Sequence, residues 1–169
     1  MAEIICDTSP LQYLHQLRHL DILPSLAARV LVPTAVVEEL GEGLRLGLDL
    51  PDVHALDWAE VVSPGSAPTL PLVTDLGPGE LEVMALALEH RDAVVVLDDR
   101  VARNVARTLD LKMTGTLGLL LDVKRLGRIE RVEPLMNELE SLGFRLADHT
   151  RAAVLILAGE LEPPKRKHL

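Results

Sequence analysis

Between Gly79 and Lys124 the chain alternates between two kinds of pattern. A helical stretch over Gly79–His90 leads into an unbroken apolar run, Ala93–Leu97; a second helical stretch, Arg100–Leu109, leads into a short extended run, Lys112–Thr114, and a third over Gly115–Lys124. A strand that is apolar at every position is covered on both faces, and strands joined through helices lie parallel. This confines the chain to the α/β class, a three-layer α/β/α arrangement around a central, mostly parallel sheet. The earlier residues fit the same scheme. Glu3–Cys6 reads as a strand that runs into a helix start at Asp7-Thr8-Ser9-Pro10. Val30–Val32 is a second strand, followed by a helix over Thr34–Leu40 that the glycines at 41, 43 and 47 are expected to end. Ala59–Val62 is a further strand, and Ser63–Pro78, with Pro64, Pro68, Pro71 and Pro78, reads as a surface connection. Helices over Val132–Leu142 and His149–Ala158 complete a single domain expected to span 1–158, with a basic, flexible tail over 159–169.

Several classes of chemistry drop out. A single cysteine, Cys6, excludes a disulfide framework and a multi-thiolate zinc site. His15 and His19 stand four apart, but the residues between them are Gln16, Leu17 and Arg18, so the glutamate of a zinc protease is missing. No phosphate-binding Gly-Lys-Ser/Thr and no nucleophile elbow occur. No basic-then-apolar leader and no apolar run long enough to span a bilayer are seen, so we expect a cytoplasmic protein without membrane contact.

The net charge of −9 argues against a general polyanion binder, yet Arg100–Arg131 holds eight basic side chains against three acidic ones. With one Trp, one Tyr and one Phe, no aromatic platform for bases can be built.

Ligands of open α/β sheets bind beyond the carboxyl ends of the strands. Asp7 follows the first strand, and Asp98 and Asp99 follow the apolar one. Helical phase adds two more acids. Glu39 falls at the border of the stripe formed by Val36, Val37 and Leu40, with Glu38 nearly opposite. Glu80 heads the face of Val83, Met84 and Ala87, whereas Glu82 shares a face with Glu89. Each acid alone also suits a bland role: Asp7 and Asp98-Asp99 as helix caps, Glu39 as a solvated acid, Glu80 as a first-turn acid. Gathered in one cleft they would repel by roughly 4 kcal/mol per close pair, so a cation is needed to hold them. Oxygen-only ligation selects Mg²⁺ or Mn²⁺, either of which activates water towards a phosphodiester.

Five blocks carry a resemblance: Ile4–Leu11, Val32–Leu40, Gly77–Val83, Val94–Arg103 and Thr114–Leu120. In this order they resemble the PIN-domain family, similar to toxin ribonucleases of the VapC type and closest to a PIN subgroup of unassigned function. The resemblance implies a metal-dependent ribonuclease whose acids map to Asp7, Glu39, Glu80 and Asp98 or Asp99, with Asp7, Glu80, Asp98 and Asp99 towards the metal. Thr8, Ser9 and Thr116 map to hydroxyls bordering the cleft. Arg100, Arg103, Arg107 and Lys124 are the candidates to steady an RNA backbone, with a solvated amphipathic face as the alternative for the arginine stripe. The expected setting is a toxin–antitoxin pair with a small antitoxin protein as partner, and the expected assembly is a homodimer. Two other readings stay open: a catalytically weak PIN-like module that binds nucleic acid or protein, and a receiver-like domain, for which no mid-chain phosphoacceptor Asp is found.

Overall fold

The computed structural model describes Met1, residues 3–65 and residues 75–163. Nine residues of the proline-rich connection (66–74) and the end of the expected tail (164–169) lie outside the described residues. In chain order the elements are β1 (Glu3–Cys6), α1 (Thr8–Gln16), α2 (Ile22–Leu26), β2 (Arg29–Pro33), α3 (Thr34–Arg45), a 3-10 turn (Val53–Ala55), β3 (Ala59–Val62), α4 (Pro78–Glu89), β4 (Val94–Val96), α5 (Arg100–Thr108), β5 (Met113–Thr114), α6 (Thr116–Arg125), α7 (Glu133–Ser141) and α8 (Asp148–Leu157). The five strands form one sheet in the order β3-β2-β1-β4-β5. Every pairing is parallel, so the sheet is wholly rather than mostly parallel. It is the middle layer of an α/β/α fold.

Consecutive strand residues point to opposite faces. Ile4, Ile5 and Cys6 are all fully buried, as are Val95 and Val96, so both faces of the sheet's centre are covered. The chain leaves β1 in one direction to build β2 and β3, then returns to build β4 and β5 on the other side. The strand order therefore reverses between β1 and β4, which pair through Ile4–Val94, Ile5–Val95 and Cys6–Val96. The carboxyl ends of these two strands are the place where such sheets bind their ligands.

Two elements depart from expectation. The helix expected to stop at Leu40 runs on to Arg45, through Gly41 and Gly43. Gly43 serves packing there: a Cβ at this position would stand 2.2 Å from Leu50 Cδ1. The short helix α2, with Ile22 and Leu23 buried, lies where no element was expected.

The chain divides into two compact units, Met1–Thr116 and Leu117–Leu169. In the second unit Leu119, Leu120, Val123, Val132, Met136 and Leu139 are fully buried. Glu160 is tied into that unit. Its carboxylate accepts hydrogen bonds from the amides of Val132 (2.6 Å) and Glu133 (2.9 Å) at the start of α7, and from Lys124 Nζ (2.5 Å).

Candidate functional site

All five predicted acids belong to the first unit, at the carboxyl end of the sheet or on the helices that begin there. Asp7 follows β1. It occupies the N-cap position of α1, but its side chain makes no capping bond, so capping does not explain it. The residue is only 3% exposed, and its Oδ1 is buried with no hydrogen-bond partner among the described residues. A buried polar oxygen without a donor is costly and calls for an explanation. Burial pushes Asp7 up to about 7; a bond from the Thr8 amide opposes the rise, and the charges of Glu80, Glu39 and Asp98 add to it. Those three carboxylates are thus its electrostatic neighbours.

Asp98 follows β4 and is held at both oxygens. Oδ1 accepts from the Thr116 amide at 2.8 Å, and Oδ2 accepts from Thr116 Oγ1 at 2.6 Å. Its pKa is raised by burial, against the pull of the Thr116 bonds and of Arg103. Gly115 makes room for this arrangement, because a Cβ there would stand 2.9 Å from Asp98 Oδ1 and 3.1 Å from the backbone oxygen of Leu97. Asp99 is exposed and caps α5, accepting from the amides of Val101 (2.7 Å) and Ala102 (3.0 Å). For Asp99 the capping role is real.

Glu80 sits in the first turn of α4, and its Oε2 accepts from the Gly77 amide at 2.9 Å. Burial raises its pKa; the Gly77 bond opposes this, while the charges of Asp99 and Glu39 add to it. Glu39 is half-buried on α3 and has a donor at each oxygen: the Gly79 amide at Oε1 (2.9 Å) and Thr8 Oγ1 at Oε2 (2.5 Å). Thr8 and Thr116 therefore both touch site carboxylates, while Ser9 lies half-buried in α1.

Two of the four cations expected on the RNA are committed elsewhere. Arg103 Nη1 donates to the backbone oxygens of Leu97 (2.8 Å) and Thr114 (3.1 Å), pinning the ends of β4 and β5. Lys124 is ion-paired with the buried Glu160. Arg100 and Arg107 remain exposed on α5, and Arg107 bonds Asn104.

Glu82 and the glycines at 79 and 115 went unrecognised in the sequence. Glu82 was expected to point away with Glu89; instead its Oε2 accepts from the Ala35 amide of α3 at 2.8 Å. No local pattern signals a bond between residues so far apart in the chain.

The donor set suits a hard divalent ion in kind: carboxylates only, one of them with a buried oxygen that no donor among the described residues serves. Among the described residues no three acidic, histidine or cysteine side chains are drawn together closely enough to grip an ion by themselves. Any ion held here would keep part of its water shell, as Mg²⁺ commonly does.

The pattern of a family described as a PIN domain matches residues 3–160. No curated protein matches the chain significantly.

Proposed function

Since the chain belongs to the PIN-domain family, whose fold is of nuclease type, we propose that it is a Mg²⁺- or Mn²⁺-dependent endoribonuclease acting as the toxin of a toxin–antitoxin pair. The observation that carries this is Asp7: a buried carboxylate oxygen without a donor among the described residues, at the point where the strand order reverses, with three further carboxylates as charged neighbours. Asp7 and Glu80, with Asp98 and Asp99, would hold the ion, directly or through water. When bound, it supplies an acidified water and a counter-charge for the phosphodiester.

The chain's own residues have separate tasks. Asp7 must lose its proton to serve as a ligand, and the proton leaves to solvent near neutral pH. Thr116 fixes both oxygens of Asp98, so that carboxylate stays oriented whether or not substrate is present. Arg103 ties the ends of β4 and β5 together beneath Asp98. No protein nucleophile is required. RNA, a small antitoxin protein and a second copy of the chain are the partners this reading calls for. Among the described residues no helix is long and apolar enough to cross a membrane.

The test is cleavage of single-stranded RNA, structured RNA and single-stranded DNA with Mn²⁺ against excess chelator, with Asp7→Asn as the control. Cleavage of RNA that needs both the ion and Asp7 supports the proposal, and full activity in chelator overturns it. The spacing of the acids favours a second reading, a PIN-like module that binds RNA or protein with little turnover. That reading expects RNA retention and no metal-dependent product at any pH.

A further inference from the structure

Helices α3 and α4 both start at residues with no side chain able to cap them. The N-cap of α3 is Pro33 and that of α4 is Gly77, and neither offers an acceptor to the free amides of the first turn. Each helix takes the missing acceptor from the other. Glu82 of α4 accepts from the amide of Ala35, the second residue of α3, at 2.8 Å. Glu39 of α3 accepts from the amide of Gly79, the second residue of α4, at 2.9 Å. The exchange is reciprocal, and each carboxylate also meets the positive end of the partner helix's dipole.

Glu39 is bound further still. Its second oxygen accepts from Thr8 Oγ1, at the start of α1 and next to Asp7. A Cβ at residue 79 would lie 2.8 Å from both Glu39 oxygens, so glycine is what lets the carboxylate lie against the helix start. Both Glu39 oxygens thus serve protein donors, one on α4 and one on α1. Glu80 follows Gly79 directly, so whatever fixes the Gly79 amide also fixes the root of Glu80.

We propose that Glu39 and Glu82 form a reciprocal carboxylate clasp between α3 and α4 that holds Glu80 in register with Asp7, making Glu82 a positioning residue of the acidic centre. This rests on the metal-dependent reading of that centre. Nothing in the clasp depends on the ion for its own geometry. An exchange of this kind differs from two independent caps in one respect: releasing Ala35 loosens α3, and with it the Glu39 carboxylate that protects Gly79 on the other helix.

The experiment compares Glu82→Gln, Glu82→Ala and Glu82→Asp with the wild-type chain. Folding is checked by circular dichroism, Mn²⁺ binding by calorimetry, and amide hydrogen exchange is followed at Ala35 and Gly79. Glutamine keeps an oxygen that can accept the Ala35 amide, so its Mn²⁺ Kd stays within about threefold of wild type. Alanine removes the acceptor and weakens Mn²⁺ about tenfold or more, the usual scale for a group that orients a ligand. Exchange then quickens at Gly79 as well as Ala35. Aspartate keeps the charge but loses reach, and gives the same loss should the alanine variant fail to fold. Unchanged Mn²⁺ affinity in the alanine and aspartate variants overturns the proposal. So does quickened exchange confined to Ala35, the mark of a plain cap. A wild-type chain that binds no Mn²⁺ defeats the metal reading and the positioning role together, whereas quickened exchange at Gly79 upholds the clasp as a helix-to-helix device.

Discussion

A carboxylate as deeply buried as Asp7, among three others, weakens the fold unless it carries a proton or a cation. Its pKa of about 7 lies well above the ordinary value of 3.8. Between those values the folded chain holds a proton that the unfolded chain has released, so stability falls as pH rises from about 4 to 7 and levels off above. Asp7→Asn is neutral at every pH and nearly the same shape. At pH 8 it should melt higher than wild type by the widest margin, the shift from 3.8 to about 7 setting an upper bound of about 4 kcal/mol; the gap should be smaller at pH 5 and close below about pH 4. Mn²⁺ should raise the wild-type melting temperature at pH 8 and leave the Asn variant unmoved. A thermal-shift series over pH with and without Mn²⁺ reads all three, and a wild type more stable than Asp7→Asn at pH 8 without metal contradicts the account. On the metal-dependent reading Asp7 must lose its proton to take the ion, so cleavage at limiting Mn²⁺ should rise towards pH 7 and above.

At the scale of elements, the chain shows which of its features are local. The strands β1 and β4, the acids at their ends and the inward phase of Glu39 were legible because each depends on a period of two or about 3.6 residues within one segment. The extension of α3 through Gly41 and Gly43 was not legible, because Gly43 answers to Leu50, which the helix reaches only after folding. The exchange of Glu39 and Glu82, the diversion of Arg103 to strand ends and that of Lys124 to Glu160 were hidden for the same reason. Gly115 offers a direct check on such long-range demands. Gly115→Ala puts a methyl 3.1 Å from the Leu97 carbonyl, a backbone atom with little freedom to retreat, and 2.9 Å from Asp98 Oδ1. The expected cost is about 1–3 kcal/mol in urea unfolding, with RNA cleavage reduced through the displaced Asp98. In the second unit, Glu160 ties α6 to the start of α7. Burial raises its pKa, but the bonds from Lys124, Val132 and Glu133 outweigh that and leave it lowered. Its stabilisation is therefore present above about pH 4.5 and is lost as pH falls through the lowered value. Glu160→Ala leaves two amides and a lysine without their acceptor; it should cost on the order of 2 kcal/mol at pH 7, and visibly less in acid.

For the whole molecule, the ribonuclease reading requires a chain of net charge −9 to hold RNA. Long-range repulsion slows the approach of a polyanion, but bound affinity is set by the cations that replace counterions on the phosphates. Arg100 and Arg107 stand seven residues apart on the outer face of α5, whose start is capped by Asp99, so they lie on a line leading away from the acids. Arg100 has no hydrogen bond or ion pair among the described residues, and Arg107 has only the neutral Asn104. Both are available to phosphates in a way that Arg103 and Lys124 are not. Binding of a labelled single-stranded RNA to the Asp7→Asn chain, followed by anisotropy over a range of salt, separates local contact from overall charge. Each phosphate contact on a single strand contributes about 0.7 to the slope of log affinity against log salt. Replacing both arginines by glutamine should therefore shorten the slope by about 1.4. Arg45→Gln also removes one positive charge, but from an arginine already paired with Glu42; it should shift affinity slightly and leave the slope alone. Equal slopes in all three proteins would mean that α5 does not face RNA, and tighter binding of an acidic peptide than of RNA would assign the stripe to a protein partner instead.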